Sequence, residues 1–428
     1  MDISYIHSLF LKSSGVCIDT RKIAEKSFFV AIKGERFDAN TFAKEALEKG
    51  ASYVIIDNED YHIDNRTVLV KDSLVALQEL AKYHRNYLKL PIVALTGSNG
   101  KTTTKELINV VLAKKFKTKA TVGNFNNHIG VPLTLLSFDE NTEIGIVEMG
   151  ANHKKEIEFL CEIAQPDYGY ITNFGKAHLE GFGGVEGVIE GKSEMYQYLL
   201  KQDKLAFINL EDPIQVEKSK ILKHYSFGIN KENANVKISE IKANPFVEVG
   251  FDSLQIKTHL IGLYNANNVN AALTIGKFFE VDDVAIKEAL ESYVPENNRS
   301  QLLVKAENEI ILDAYNANPS SMAVAIANFL QLEKSNKIMV LGDMFELGDE
   351  SRQEHNALVD SLKNETDVQC FFVGKAFFDC QIAKDNFHFY DSFESFSEGL
   401  KEVNFDKNTI LIKGSRGMAL ERTLDYIK

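Results

Sequence analysis

The sequence predicts an α/β protein of three domains, on three observations. A chain of 428 residues, 44% hydrophobic and 25% charged, is long enough for about three cores and has the make-up of a soluble globular protein. From Ile92 onward, short apolar runs alternate with longer helical patterns, as in βαβ units of mostly parallel sheets with right-handed crossovers. Two polar breaks marked by proline, Tyr87–Pro91 and Val294–Asn298, interrupt the chain. The expectation is a small mixed α/β domain over 1–86, a central parallel-sheet domain over 87–296 and a C-terminal Rossmann-like α/β domain over 297–428.

In order, the first domain reads as strands at Ser27–Ile32, Tyr53–Asp57 and Thr67–Val70 with helices near Thr41–Lys49 and Ser73–Tyr87. The central domain reads as strands at Ile92–Thr96, Ile144–Glu148 and Tyr168–Thr172, with helices at Lys101–Lys115, Lys154–Ile163 and Val185–Leu200. The third has strands at Ile310–Asp313, Ile338–Leu341, Cys370–Val373 and Thr409–Lys413. Ligands of such sheets bind beyond the strand C-termini, where polar or Gly-rich loops follow: Ala314–Asn318, Gly342–Met344 and Gly414–Gly417.

A formal charge of −13 argues against nucleic acid or an anionic membrane as partner. The scattered Cys17, Cys161, Cys370 and Cys380 form no C-x-x-C and read as reduced thiols. The N-terminus lacks signal-peptide features, and no apolar run reaches the roughly 20 residues that span a bilayer. A cytoplasmic protein without membrane insertion is expected.

The run Pro91-Ile92-Val93-Ala94-Leu95-Thr96-Gly97-Ser98-Asn99-Gly100-Lys101-Thr102-Thr103 carries the most chemistry. A β-branched strand enters a glycine-bracketed turn that ends at a helix start. Backbone N–H groups from Gly97, Ser98, Asn99, Gly100 and Thr103 can cradle phosphates, Lys101 adds charge, and Thr102 can ligate Mg²⁺. This makes the central domain a P-loop mononucleotide-binding one. The spacing G-x-x-G-K-T-T is short, because Leu95 stands at the usual first glycine. A surface lysine after a Gly-rich turn is the plainer alternative, which the flanking strand and helix disfavour.

Glu148 ends an apolar strand on the phosphate-loop edge and can reach the same metal, or cap the next helix. His178 follows another strand; alone, a loop histidine is more often structural. Lys192 lies within a helical pattern and reads as solvent-facing. Two clusters, Asn124, Asn126 and Asn127, and Asn265, Asn267, Asn268 and Asn270, precede apolar helices. Capping explains one asparagine in each; the others suit amides that read a ligand.

Together these residues resemble the Mur ligase family, the ATP-dependent amide-forming enzymes of bacterial cell-wall precursor synthesis. The motifs are Thr96–Thr103, Val147-Glu148-Met149-Gly150, and Thr172-Asn173 through His178-Leu179. Gly123–Pro132, Asp313–Pro319, Leu341–Gly348 and Lys413–Met418 are similar to the member that joins D-alanyl-D-alanine (D-Ala-D-Ala) to a UDP-N-acetylmuramoyl-tripeptide. The D-N-P-R run of the diamino-acid-adding member is absent.

The resemblance implies ATP and two Mg²⁺ ions, one on Thr102 and Glu148, the other on His178 and a carbamylated Lys192. It implies catalytic charge from Lys101 and Arg299, an adenine contact from Asn268 and a ribose contact from Asp313. Substrate contacts would come from Asp19, Thr20, Arg21, Asn124, Asn126, Asn127, Asn316, Asn318, Lys413, Ser415 and Arg416. A monomer that closes its domains on ATP is expected. Tyr264 departs from the family, where histidine is common. Another amino-acid-adding family member, a folylpolyglutamate synthase, or a P-loop ATPase module remain as alternatives.

Overall fold

The structure, a computed structural model, describes residues 2–296, 298–403 and 405–427. Asn297, where the third domain was expected to begin, lies outside the described residues. Three main sheets succeed one another along the chain.

The first has four parallel strands, Val16–Cys17, Phe28–Val30, Tyr53–Ile56 and Thr67–Leu69. The helices Ile3–Phe10 and Ser73–Leu88 bury Phe10, Leu77 and Leu80 with Phe28, Val30 and Ile55 of this sheet. Ala39, Ala43, Ala46 and Leu47 pack with Phe29, Val54 and Ile56. Asp72 caps the helix Ser73–Leu88, which runs on through Tyr87 and Leu88 and stops at Lys89 in a left-handed conformation. The expected break at Tyr87–Pro91 is therefore shorter. Arg85 holds the helix to the central domain through Asp167 at 2.8 Å and the carbonyls of Ala164 and Gln165.

The central sheet has nine strands. Ile92–Thr96, Ile144–Glu148 and Tyr168–Ile171 are adjacent and parallel, with Leu95 level with Glu148 and Thr96 level with Ile171. That register brings three strand ends to one edge, and it is what positions the site. The far part departs from a purely parallel reading: Phe246–Phe251 and Leu254–Ile261 pair antiparallel.

The third sheet orders Gln301–Lys305, Asn308–Asp313, Thr409–Lys413, Lys337–Gly342, Val368–Val373 and Phe387–Tyr390. Only its first pairing is antiparallel. Among the described residues, no helix is long and apolar enough to cross a membrane.

A buried histidine pair ties the first two domains. His84 Nε2 meets the Phe138 carbonyl at 3.0 Å and therefore donates, leaving Nδ1 to accept from His7 Nε2 at 3.0 Å. Burial and then the neighbouring His84 depress the His7 pKa to about 4; burial also lowers that of His84, opposed by the Phe138 carbonyl. A histidine with a depressed folded pKa contributes stability above its unfolded pKa near 6.5, and loses it as pH falls toward 4. Denaturant melts should therefore lose up to about 1.4 kcal/mol per pH unit over that interval, and His7→Phe should flatten the slope.

Candidate active site

The phosphate loop needs its glycines. At Gly97 (φ +140°) a Cβ would lie 2.0 Å from Thr172 Oγ1; at Gly100 (φ +78°) it would meet Asn268 Oδ1 at 2.7 Å. The helix Lys101–Leu112 starts at once, and no side-chain oxygen caps it, so its first N–H groups can meet an anion.

The segment after the neighbouring strand braces the loop. Thr172 Oγ1 and Asn173 Nδ2 donate to the Asn99 carbonyl at 2.6 and 3.0 Å, Ser98 Oγ donates to the Gly175 carbonyl at 2.6 Å, and Asn173 Oδ1 accepts from Asn99 N. Lys101 Nζ donates to the carbonyls of Gly97 and Ser98 at 2.7 and 3.2 Å. Burial lowers its pKa, Glu148 pulls it up and Arg299 pushes it down.

Glu148 is 1% exposed. Its Oε1 accepts from Asn126 Nδ2 at 2.8 Å, whereas the buried Oε2 has no protein partner. An orphaned carboxylate oxygen in the same cavity as the Thr102 hydroxyl fits Mg²⁺, which takes one or two protein oxygens and fills its shell from phosphates and water. Among the described residues no group of three or more His, Cys, Asp or Glu side chains could hold a metal ion.

These groups line a cavity of about 530 Å³ between the central and third domains. Ser98 through Thr103 form one wall; Asn124, Asn126, Asn127, Glu148, His178 and Asn268 come from the rest of the central domain. Arg299, Asp313, Asn316, Asn318 and Lys413 come from the third. The Arg299 guanidinium stacks 3.6 Å above the Tyr315 ring. Lys413, 2% exposed, pairs with Asp313 Oδ2 at 2.6 Å, and Asp313 Oδ1 accepts from Ser300 N. Tyr264 Oη lies 2.7 Å from Ser300 Oγ, so the departure from histidine makes an interdomain contact. A smaller cavity of about 180 Å³ shares Tyr264 and Asp313.

Several expectations change. Lys192 is not solvent-facing: it is 1% exposed in the helix Val185–Lys201 and donates to the Ala151 carbonyl at 3.1 Å. Burial, then Lys101, push its pKa well down against the pull of Glu156 and Glu194. It lies behind Ala151, which lines the cavity. The second asparagine cluster sits on the helix Asn265–Phe278 rather than before it. Asn268 donates to Asn265 Oδ1 and accepts from Thr104 Oγ1, which braces the loop at Gly100. Asn127 Oδ1 accepts from Ile129 N and Gly130 N, a local turn that leads into the helix Gly130–Leu136. Asn318 both caps the helix Pro319–Gln331 and donates to Asn99 Oδ1 at 2.7 Å.

Other expected residues lie outside the cavity. Asp19, Thr20 and Arg21 form a capped turn on the first domain, with Arg21 on Asp19 at 2.8 Å. Ser415 is buried and accepts from Phe345 N; Arg416 pairs with Glu421 at 2.8 Å. Sequence reasoning missed Asn152, Glu156 and Phe159 on the cavity wall. The signal was the run Ala151-Asn152-His153 directly after the Glu148 motif, where Glu156 accepts from Asn152 N and His153 N.

Fold and site together define an ATP-using ligase built from three α/β domains around a phosphate loop. The chain belongs to the Mur ligase family. Residues 12–85 match the model of the Mur ligase family catalytic domain, 95–276 that of the Mur ligase middle domain, and 298–416 that of the Mur ligase glutamate ligase domain. The UDP-N-acetylmuramoyl-tripeptide–D-alanyl-D-alanine ligase of Bacillus subtilis (strain 168) is 35% identical over 95% of this chain and 91% of its own. A crystal structure of MurF from Acinetobacter baumannii superposes with a TM-score of 0.83 at 31% identity, over 97% of this chain and 96% of that one. MurF ligase from Thermotoga maritima in complex with ADP gives 0.84 at 28%, over 98% and 97%.

Proposed function

We infer that this chain joins D-Ala-D-Ala to the terminal carboxylate of UDP-N-acetylmuramoyl-tripeptide, with ATP converted to ADP and phosphate, in bacterial peptidoglycan precursor synthesis. The observation that carries the reading is the cavity that sets the phosphate loop and Glu148 against Arg299 and Lys413 of the third domain. Near-full-length similarity to ligases of that name supports the choice of substrates.

A carboxylate does not form an amide in water because its oxygen is a poor leaving group. Here the tripeptide carboxylate oxygen attacks the γ-phosphorus, ADP departs, and an acyl phosphate results. The dipeptide amine then attacks the acyl carbon, loses a proton, and the tetrahedral intermediate expels phosphate. This needs positioning and charge neutralisation rather than a covalent protein nucleophile. Gly97–Thr103 hold the phosphates, Lys101 and Arg299 neutralise the transferring group, and Thr102 with Glu148 would hold Mg²⁺. When bound, that ion supplies charge neutralisation at the phosphates.

The division of labour we propose gives residues 1–86 the uridine nucleotide, through Asp19, Thr20 and Arg21. Residues 87–296 take ATP, and 297–428 contact ATP and take the dipeptide, through Asn316, Asn318 and Lys413 on the cavity wall. Lys192 is carbamylated in this reading. Burial favours its neutral amine, whose lone pair adds to CO₂ with loss of a proton, giving an anion that would hold a second Mg²⁺ with His178. The enzyme works as a cytoplasmic monomer.

Amine-dependent phosphate release is the test. Release stimulated by D-Ala-D-Ala and not by meso-diaminopimelate, lysine or glutamate is expected. Stimulation by one of those amines instead indicates another family activity, and release without any amine indicates an ATPase module.

A further inference from the structure

The loop of Leu341–Gly348, singled out in the sequence, has no role in the chemistry above. The structure brings Glu346 from this loop to His178, 168 residues earlier, where its carboxylate Oε2 contacts ring Nδ1. Both residues hold left-handed backbone, His178 at φ 54° and Glu346 at φ 60°, a conformation non-glycine residues rarely keep without cause. Glu346 also offers its carbonyl to Glu180 N. Alongside, Lys176 Nζ meets Glu354 Oε1 at 2.6 Å and Lys176 N donates to Ser320 Oγ at 2.8 Å. The segment Asn173–His178, which braces the phosphate loop on one side, is thus held by the third domain on the other.

The Glu346 side chain is 54% exposed, and so open an ion pair adds little stability. What such a contact does set is ring geometry and tautomer. An ionised carboxylate only accepts, so in the neutral ring Nδ1 is the nitrogen that carries the proton, which leaves Nε2 its lone pair. Carboxylate partners of this kind are how ligating histidines are oriented.

We propose that Glu346 is a positioning residue for His178: delivered by the third domain, it fixes the tautomer whose Nε2 lone pair serves Mg²⁺ in the ATP cavity. The metal half rests on the proposed ligation by His178; the tautomer half does not. Docking of the dipeptide-binding domain and readiness of the metal site become one event.

The test uses the full chain labelled with ¹⁵N-histidine, with the His178 signals assigned by their loss in His178→Gln. At a pH that keeps the ring neutral, wild type without nucleotide should show a protonated Nδ1 and a bare Nε2. Glu346→Ala should lose that preference, whereas Glu354→Ala, which breaks an ion pair in the same seam, should keep it. The Mg²⁺ concentration for half-maximal ligation should rise about 10- to 100-fold in Glu346→Ala and stay unchanged in Glu354→Ala. An Nε2-protonated ring in wild type, or equal behaviour of the two variants, overturns the proposal. Tautomer control without any change in Mg²⁺ dependence overturns its metal half. Wild type that forms no amide contradicts the proposed function instead, and the tautomer experiment still decides this point.

Discussion

Lys101→Ala is expected to lower kcat for ligation by about 10²- to 10³-fold, the effect of removing one preorganised charge from a developing transition state. The ammonium bonds only to carbonyls of its own loop, Gly97 and Ser98. The helix behind it is anchored separately by Leu107, Ile108, Val111 and Leu112, all fully buried. The variant should therefore keep its thermal unfolding midpoint and fail in chemistry. Phosphate release and amide formation should fall together, because both follow the same phosphoryl transfer. A variant with normal kcat and a raised KM for ATP would show that Lys101 supplies uniform binding only.

Lys192→Ala carries the second large effect. The side chain fills a site between the Ala151 carbonyl at 3.1 Å and the Phe182 ring, whose centroid lies 4.9 Å from Nζ. Truncation leaves a cavity but also removes an amine whose charged form burial disfavours, so stability should change modestly. Activity should fall about 100-fold, as expected for loss of a group that holds a metal in place. Formate or acetate should restore part of it by occupying the carbamate position. Full activity in the variant would exclude a metal role, and loss without rescue would leave only a structural one.

Much of the scaffold was legible because fully buried parallel strands read as unbroken apolar runs. Ile92–Thr96, Ile144–Glu148 and Thr409–Lys413 run where expected, to the residue. Gln301–Lys305 was not legible: it is an edge strand with three of its five residues exposed and none fully buried, and its alternation is weak. The antiparallel ribbon from Phe246 to Ile261 extends a sheet that was otherwise parallel, and no local pattern says which way such an extension turns.

In the site, residues tied to a turn or a strand end could be read locally: Gly97, Gly100, Lys101 and Glu148. Residues defined by what packs over them could not. Lys192 looks like any helical lysine until Phe182 and Ala151 close over it. Asn268 reads as a ligand amide until Gly100 is seen resting on it. The Glu346–His178 contact joins two domains, and no spacing rule spans that distance.

The most direct test of the central claim is mass spectrometry of the product from UDP-N-acetylmuramoyl-tripeptide, ATP, Mg²⁺ and D-Ala-D-Ala, run with wild type and Lys101→Ala. The account predicts a UDP-N-acetylmuramoyl-pentapeptide that forms with wild type and is nearly absent with the variant. ADP and phosphate without any pentapeptide from wild type would contradict it.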